Sequence, residues 1–165
     1  MLGTKFIGLA RLFRFELPFT AGVCVVLGQL LALGGLPAFR ELALGFLSAF
    51  CISAVALIIN DIFDIETDQI NAPDRPLRSW LVTKQDVIIL SGGVTALGLF
   101  AAFLISLQAL WVALLVWVVG FLYNWRFKKA GLWGNLMVSF SVGMTFIFGG
   151  ISVGRPFEAV IWVFA

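Results

Sequence analysis

Residues 42–68 read LALGFLSAFCISAVALIINDIFDIETD, an uncharged run from Leu42 to Asn60 followed at once by Asp61, Asp64, Glu66 and Asp68. Roughly 20 apolar residues suffice for a helix to cross a bilayer, so the run reads as a transmembrane helix with carboxylates crowded at its far end. The chain around it must then be lipid-embedded too, with something at one membrane face to neutralise the acids.

Further charge-free stretches run from Leu17 to Phe39, Val87 to Trp125 and Ala130 to Gly154. The third of the four stretches, Val87–Trp125, has 39 residues. As one unbroken helix it would overshoot a hydrocarbon core of about 30 Å by nearly a factor of two. Its polar interruption at Ser106 and Gln108 is the natural place for a tight hairpin, which brings the count to five complete spans. A sixth begins near Phe157 and is cut at Ala165 inside an apolar run, so the 165 residues are expected to be the N-terminal part of a longer protein. Composition agrees: 61% hydrophobic residues, 12% charged and a mean hydropathy of +1.06 are a poor fit to a water-soluble domain. The expected fold is all-α, a polytopic transmembrane helical bundle forming a single domain over residues 1–165.

Placing the N-terminus in the cytoplasm puts Lys5, Arg11, Arg14, Arg75, Arg78, Lys84, Arg126, Lys128 and Lys129 inside and leaves only Arg40 and Arg155 outside. This bias sets the orientation, in the cell membrane with the candidate site on the cytoplasmic side. The apolar run after the basic residues before Leu17 is too long for a signal-peptide core, so it is expected to be the first permanent span. Five crossings then bring both polar connections, 61–86 and 126–129, to one face, beneath the ends of the second and fourth spans. Gly28, Gly45, Gly98, Gly120, Gly143, Gly149 and Gly150 lie within spans, where small residues let membrane helices approach closely. Cys24 and Cys51 also lie within spans, as small apolar residues. There is no histidine, which removes the usual general base and the commonest zinc ligand, and leaves carboxylates, amides, tyrosine and cations for any chemistry.

At about 100° per residue, Asn60, Asp64, Asp68 and Asp61 fall near 0°, 40°, 80° and 100° around a helix, while Glu66 points to about 240°. Four oxygen donors thus share one wedge. Carboxylates stacked a turn apart at a membrane boundary repel one another unless a cation or partner neutralises them. Mg²⁺ takes oxygen ligands and bridges one or two carboxylates to substrate phosphates, so the ladder suggests a metal-bound diphosphate. Immediately downstream, Asn71-Ala72-Pro73-Asp74-Arg75-Pro76-Leu77-Arg78 is a proline-braced loop able to hold Arg75, with its planar fork, over the same mouth. Glu66 and Asp74 read best as solvated loop acids.

A second element, Tyr123 to Asn135, spans the end of the fourth span and the start of the fifth. One reading is an aromatic belt with snorkelling cations. The other has Lys128 or Lys129 meeting a diphosphate while Tyr123 and Asn124 donate hydrogen bonds.

The stretch NDIFDIETDQINAPDRPL (60–77) resembles the first aspartate-rich motif, N-D-x-x-D-x-x-x-D, and the following N-x-P-x-R-P loop of the UbiA superfamily of intramembrane prenyltransferases. YNWRFKKAGLWGN (123–135) is similar to the tyrosine-led motif of the branch containing digeranylgeranylglyceryl phosphate synthases and chlorophyll synthases. Ser79 and Trp80 depart locally, since the family often has a small residue after the serine. The resemblance implies a nine-helix fold with a second aspartate-rich motif near the end of the sixth helix, beyond Ala165. It further implies Mg²⁺-dependent transfer of a polyprenyl group, geranylgeranyl first, from its diphosphate to a lipidic acceptor such as geranylgeranylglyceryl phosphate. Carried over by position, Asn60, Asp61, Asp64 and Asp68 would be metal and diphosphate ligands, with Arg75 and Lys129 on phosphate oxygens. Tyr123 and Asn124 would orient donor or acceptor, Lys128 would bind substrate beside Lys129, and Asp61, Asp64, Asp68 and Tyr123 would be the catalytic residues. The implied partners are the polyprenyl diphosphate, the acceptor and membrane lipid, with no nucleic acid.

Other readings carry different tests. A chlorophyllide-like or quinone-precursor acceptor would show as a different product. An ion-coupled transporter would use the same acids for a transported cation, although such sites usually lie near the midplane in broken helices. A non-catalytic binder of polyprenyl diphosphate is the reading for a chain without a second acidic motif.

Overall fold

The computed structural model describes residues 2–65, 72, 74–77 and 79–158. Among them the helices are α1 (Leu2–Leu12), α2 (Glu16–Leu33), α3 (Phe39–Phe63), α4 (Lys84–Ile105), α5 (Leu107–Trp125) and α6 (Leu132–Ser152), with a 3₁₀ turn η1 at Phe127–Lys129. From α2 to α6 each helix is long and apolar enough to cross a membrane, and these five are the spans expected from the sequence. The protein is an integral membrane protein built as an all-helical bundle. Large side chains such as Phe19, Leu31, Phe100, Trp111 and Phe140 stay exposed around the bundle, as lipid-facing positions should.

The hairpin between α4 and α5 is made by Ser106 alone. Its extended backbone (φ −168°, ψ 161°) breaks the helix, its N–H closes α4 on the Ala102 carbonyl, and its hydroxyl accepts from the Ala109 N–H to start α5. One residue thus caps both helices. At the other end of α4, Thr83 and Asp86 form a reciprocal capping box. α2 ends on Gly34 at φ 65°, a left-handed cap whose N–H bonds the Leu30 carbonyl.

α3 is the central helix, packed against α2, α4 and α5, while α2 also packs along α6. One core, with Leu12, Val55, Ile58, Val82 and Val87, ties α1 and the 76–83 loop to α3 and α4. A second, with Val25, Ile52, Ala102, Ala113 and Phe148, joins α2 to α6 deeper in the bundle.

Two features depart from expectation. The basic N-terminus is a helix of its own, α1, packed so closely on the loop that a Cβ on Gly8 would lie 2.9 Å from Leu81 Cβ. And α3 does not run on unbroken through the acidic stretch. It ends at Phe63, with Asp64 at φ −98°, ψ 6° and its N–H still bonded to the Asn60 carbonyl. Aspartate is a weak helix-interior residue, and the Asp64 side chain is drawn sideways into a charged cluster.

Candidate functional site

The C-terminal ends of α3 and α5, the turn η1, the corner between α1 and α2 and the Arg75 loop meet at one end of the bundle. Asp61 is 2% exposed there. Its Oδ1 takes an ion pair from Arg14 Nη2 and lies 3.5 Å from Arg75 Nη1. Asp64 Oδ2 is paired with Lys128 Nζ and lies 3.7 Å from the same Arg75 nitrogen. Asn60 links the two halves: its Oδ1 accepts from Lys128 Nζ at 2.7 Å, and its Nδ2 donates to Asp64 Oδ2 at 2.8 Å. Three cations therefore converge on two carboxylates and an amide, each carboxylate touched by two cations.

Each cation is positioned by the local fold. Arg75 sits in a loop fastened by Leu81 and Val82 N–H donors to the Pro76 carbonyl, and by the Ser79 N–H to its own carbonyl. Arg14 occupies a left-handed backbone position, φ 44°, at the sharp turn between α1 and α2. Lys128 is in η1, where three residues make a turn, so adjacent side chains diverge by about 120°. Lys128 pairs with Asn60 and Asp64 at the mouth, while Lys129 has no side-chain partner among the described residues; both lysines are exposed.

Asn124 is 7% exposed and spends its amide nitrogen on two backbone carbonyls, Ala56 at 2.9 Å and Gly120 at 3.1 Å, tying α5 to α3. Tyr123 is half-buried beside Gly134. Asp74 is exposed. Glu66, Asp68, Asn71, Pro73 and Arg78 lie outside the described residues, so Asp68 cannot be added to the cluster. Arg14 was missed as a site residue: it was read only as one of the inside charges, and its place directly before the first span, on the same face as the acids, was the available signal.

Behind the charged mouth opens a cavity of about 590 Å³. Its polar end is Arg14, Asn60, Arg75, Tyr123, Asn124 and Lys128, and its walls are mostly apolar side chains of α2, α3, α5 and α6, Ile52, Val116, Trp117 and Phe121 among them. Trp117 is stacked on Phe121 with centroids 5.8 Å apart, and its indole N–H bonds Thr95 Oγ1 at 3.2 Å, so this aromatic wall is fixed. A long apolar tail with a strongly anionic head fits such a space.

The described acids are already neutralised by Arg14, Arg75 and Lys128, so electrostatics alone does not demand a metal. The donor set nonetheless fits Mg²⁺: two carboxylates and an amide oxygen within a single helical turn are hard oxygen ligands of the kind it shares with phosphates. Among the described residues no three acidic, Cys or His side chains cluster as a self-sufficient metal site.

The UbiA prenyltransferase family profile matches residues 21–165. Digeranylgeranylglyceryl phosphate synthase of Thermococcus gammatolerans is 40% identical over 135 residues, covering 82% of this chain and 49% of the relative. That of Methanopyrus kandleri is 39% identical over 144 residues, 87% of this chain and 52% of the relative. A solved structure described as addressing digeranylgeranylglyceryl phosphate synthase in membranes superposes with a TM-score of 0.92 at 30% identity, over 96% of this chain and 57% of that one. An apo UbiA homolog from Aeropyrum pernix K1 shares the fold at a TM-score of 0.75 and 18% identity, over 90% of this chain and 56% of that one. The chain spans about half the length of the curated relatives it matches.

Proposed function

From the premise that this chain belongs to the UbiA prenyltransferase family, we propose that the protein transfers a polyprenyl group, geranylgeranyl first, from its diphosphate to a lipidic acceptor within the membrane. Geranylgeranylglyceryl phosphate is the first candidate acceptor, because relatives of this chain carry the name digeranylgeranylglyceryl phosphate synthase. The observation that carries the reading is a cavity apolar along its length and charged at one end, where Arg14, Arg75 and Lys128 surround Asp61 and Asp64.

In this reading the diphosphate seats at the charged mouth with its tail in the apolar cavity, and the three cations turn from the carboxylates to its oxygens. Asn60, Asp61, Asp64 and the sequence-assigned Asp68 would hold Mg²⁺, which when bound neutralises the leaving diphosphate. The C1–O bond breaks with its electron pair leaving on the diphosphate, an acceptor hydroxyl attacks the allylic carbon, and the hydroxyl proton is released. Cations fixed in advance stabilise the leaving charge as it develops. The apolar walls, Trp117 and Phe121 foremost, keep water from the allylic cation. Tyr123 orients donor or acceptor at the boundary between the two regions. The mouth faces the cytoplasm, on the positive-inside bias of the sequence.

The test is product formation by protein expressed from its complete reading frame, in proteoliposomes with geranylgeranyl diphosphate and Mg²⁺. A prenyl ether with geranylgeranylglyceryl phosphate supports the reading. Product only with a quinone precursor or a chlorophyllide-like acceptor would move the acceptor assignment, and no transfer to any acceptor would refute prenyl transfer.

A further inference from the structure

We propose that α1 and Trp80 form an interfacial anchor lying in the membrane surface beside the charged mouth, with their exposed apolar side chains sunk to the boundary between headgroups and acyl chains and Arg11 on anionic lipid headgroups. The proposal stands apart from the prenyl-transfer reading.

The placement of α1 is fixed at both ends by helices that cross the membrane. Lys5 Nζ lies 2.8 Å from Asp86 Oδ1 in the first turn of α4, and three residues past Leu12 the chain enters α2 at Glu16. Both are helix starts on the face that carries the mouth, since the corner before α2 supplies Arg14 and the loop before α4 supplies Arg75. α2 and α4 each pack on α3. The eleven residues of α1 give a length of about 16 Å, close to the separation of two helices packed on either side of a third. α1 therefore runs across the end of the bundle, in the plane of the membrane surface, rather than along the bundle.

One side of α1 is buried on the protein. Leu12 is fully buried, and a Cβ on Gly8 would lie 3.0 Å from Val82 Cγ1. At about 100° per residue Phe6 and Ile7 lie roughly 160° and 100° around the helix from Gly8, and they are 73% and 57% exposed. Trp80, next in sequence to the Leu81 that Gly8 touches, is 85% exposed. The exposed Phe15 and Leu17 join this apolar surface to the lipid-facing side of α2. The platform is thus continuous with the surface that the bundle already presents to lipid.

Trp80 also occupies a left-handed backbone position, φ 60°, which a glycine would adopt freely and a bulky side chain adopts at a cost. Its ring has no stacking or hydrogen-bond partner among the described residues, so no contact within the bundle offsets that cost. An indole has an apolar body and one N–H donor, the combination that settles at headgroup level. Charge selects the same partner. Residues 1–15 hold Lys5, Arg11 and Arg14 and no acid, and Arg11 is exposed with no side-chain partner among the described residues. A basic segment with an apolar face suits an anionic leaflet.

The experiment uses protein from the complete reading frame in a cysteine-free background, reconstituted in phosphatidylcholine vesicles with and without phosphatidylglycerol. Spin labels are placed singly by Phe6→Cys, Ile7→Cys and Trp80→Cys, with the exposed Asp74→Cys as the reference. Collision with oxygen against a water-soluble nickel chelate should put the first three labels about 5–10 Å below the headgroups and the reference in water. Leaving out phosphatidylglycerol should make the three labels shallower, and Arg11→Gln should remove that dependence on lipid charge. Nickel access at all three positions equal to that at Asp74→Cys would overturn the anchor, and a depth indifferent to phosphatidylglycerol would overturn the part given to Arg11. Trp80→Gly, which removes the ring and relieves the backbone, should unfold in detergent at or above the wild-type Tm. A lowered Tm would mean that the ring packs on protein, and would overturn its assignment to lipid.

Discussion

Lys128 Nζ lies 2.7 Å from Asn60 Oδ1, joining η1 to the end of α3 across 68 positions of sequence. The same ammonium pairs with Asp64, so one side chain holds the fourth span's end against Asn60 and Asp64 at the end of the second. Lys129, its neighbour, has no side-chain partner among the described residues.

Replacing Lys128 with alanine should therefore lower kcat/KM for the prenyl diphosphate by about a hundredfold, the scale for removing one fixed stabiliser of a developing anion. Lys129→Ala should stay within about threefold of wild type, as exposed cations usually do. Steady-state kinetics on the two variants decides the matter; equal losses would place both lysines at the diphosphate.

Arg14→Gln removes a direct partner from a carboxylate that is only 2% exposed. Because the guanidinium itself is 29% exposed, a loss of about 2 kcal/mol, at or below the range for breaking buried pairs, is expected. Thermal unfolding in detergent should show a lowered Tm, and pairing Arg14→Gln with Asp61→Asn should lose less than the sum of the single changes. Additive losses would mean that the two groups do not interact in the folded protein.

Chelation of divalent cations should abolish transfer and Mg²⁺ should restore it, with Asp61→Asn and Asp64→Asn each requiring more Mg²⁺ for half-maximal rate. A readout apart from turnover is retention of radiolabelled donor on the protein, which should fall with chelator in wild type. Undiminished transfer and binding in chelator would remove the metal from the reading.

Topology is open to a labelling test. A single cysteine placed at the exposed Asp74, in a background lacking Cys24 and Cys51, should react with an impermeant maleimide in inside-out vesicles and not in right-side-out ones. The reverse pattern would put the mouth on the outer face.

The bundle itself was readable in the chain because lipid imposes a coarse rule, about 20 apolar residues per crossing, and because Ser106 interrupts a run too long for one helix. The charged mouth was readable in part, since residues one helical turn apart had to share a side, and Asn60 does bond Asp64. The rest depends on tertiary detail that periodicity does not encode. Arg14 reaches Asp61 only because a left-handed residue turns α1 sharply into α2. The pairing of Lys128 with Asn60 and Asp64 depends on the 3₁₀ turn that follows α5, and the helix end at Phe63 on backbone geometry at Asp64. A helix as short as α1 gains stability chiefly from its packing on the loop, which only the folded arrangement supplies.

Gln29, fully buried within α2, has an effect that is mechanical rather than chemical. Its amide clasps the start of α3 and the end of α6 at once, so α2 can neither slide like a piston nor rotate without breaking two buried bonds. The other end of α2 is held separately, by Phe13 and Phe15 packed against Phe50 of α3, so the helix is anchored at both ends of the bundle.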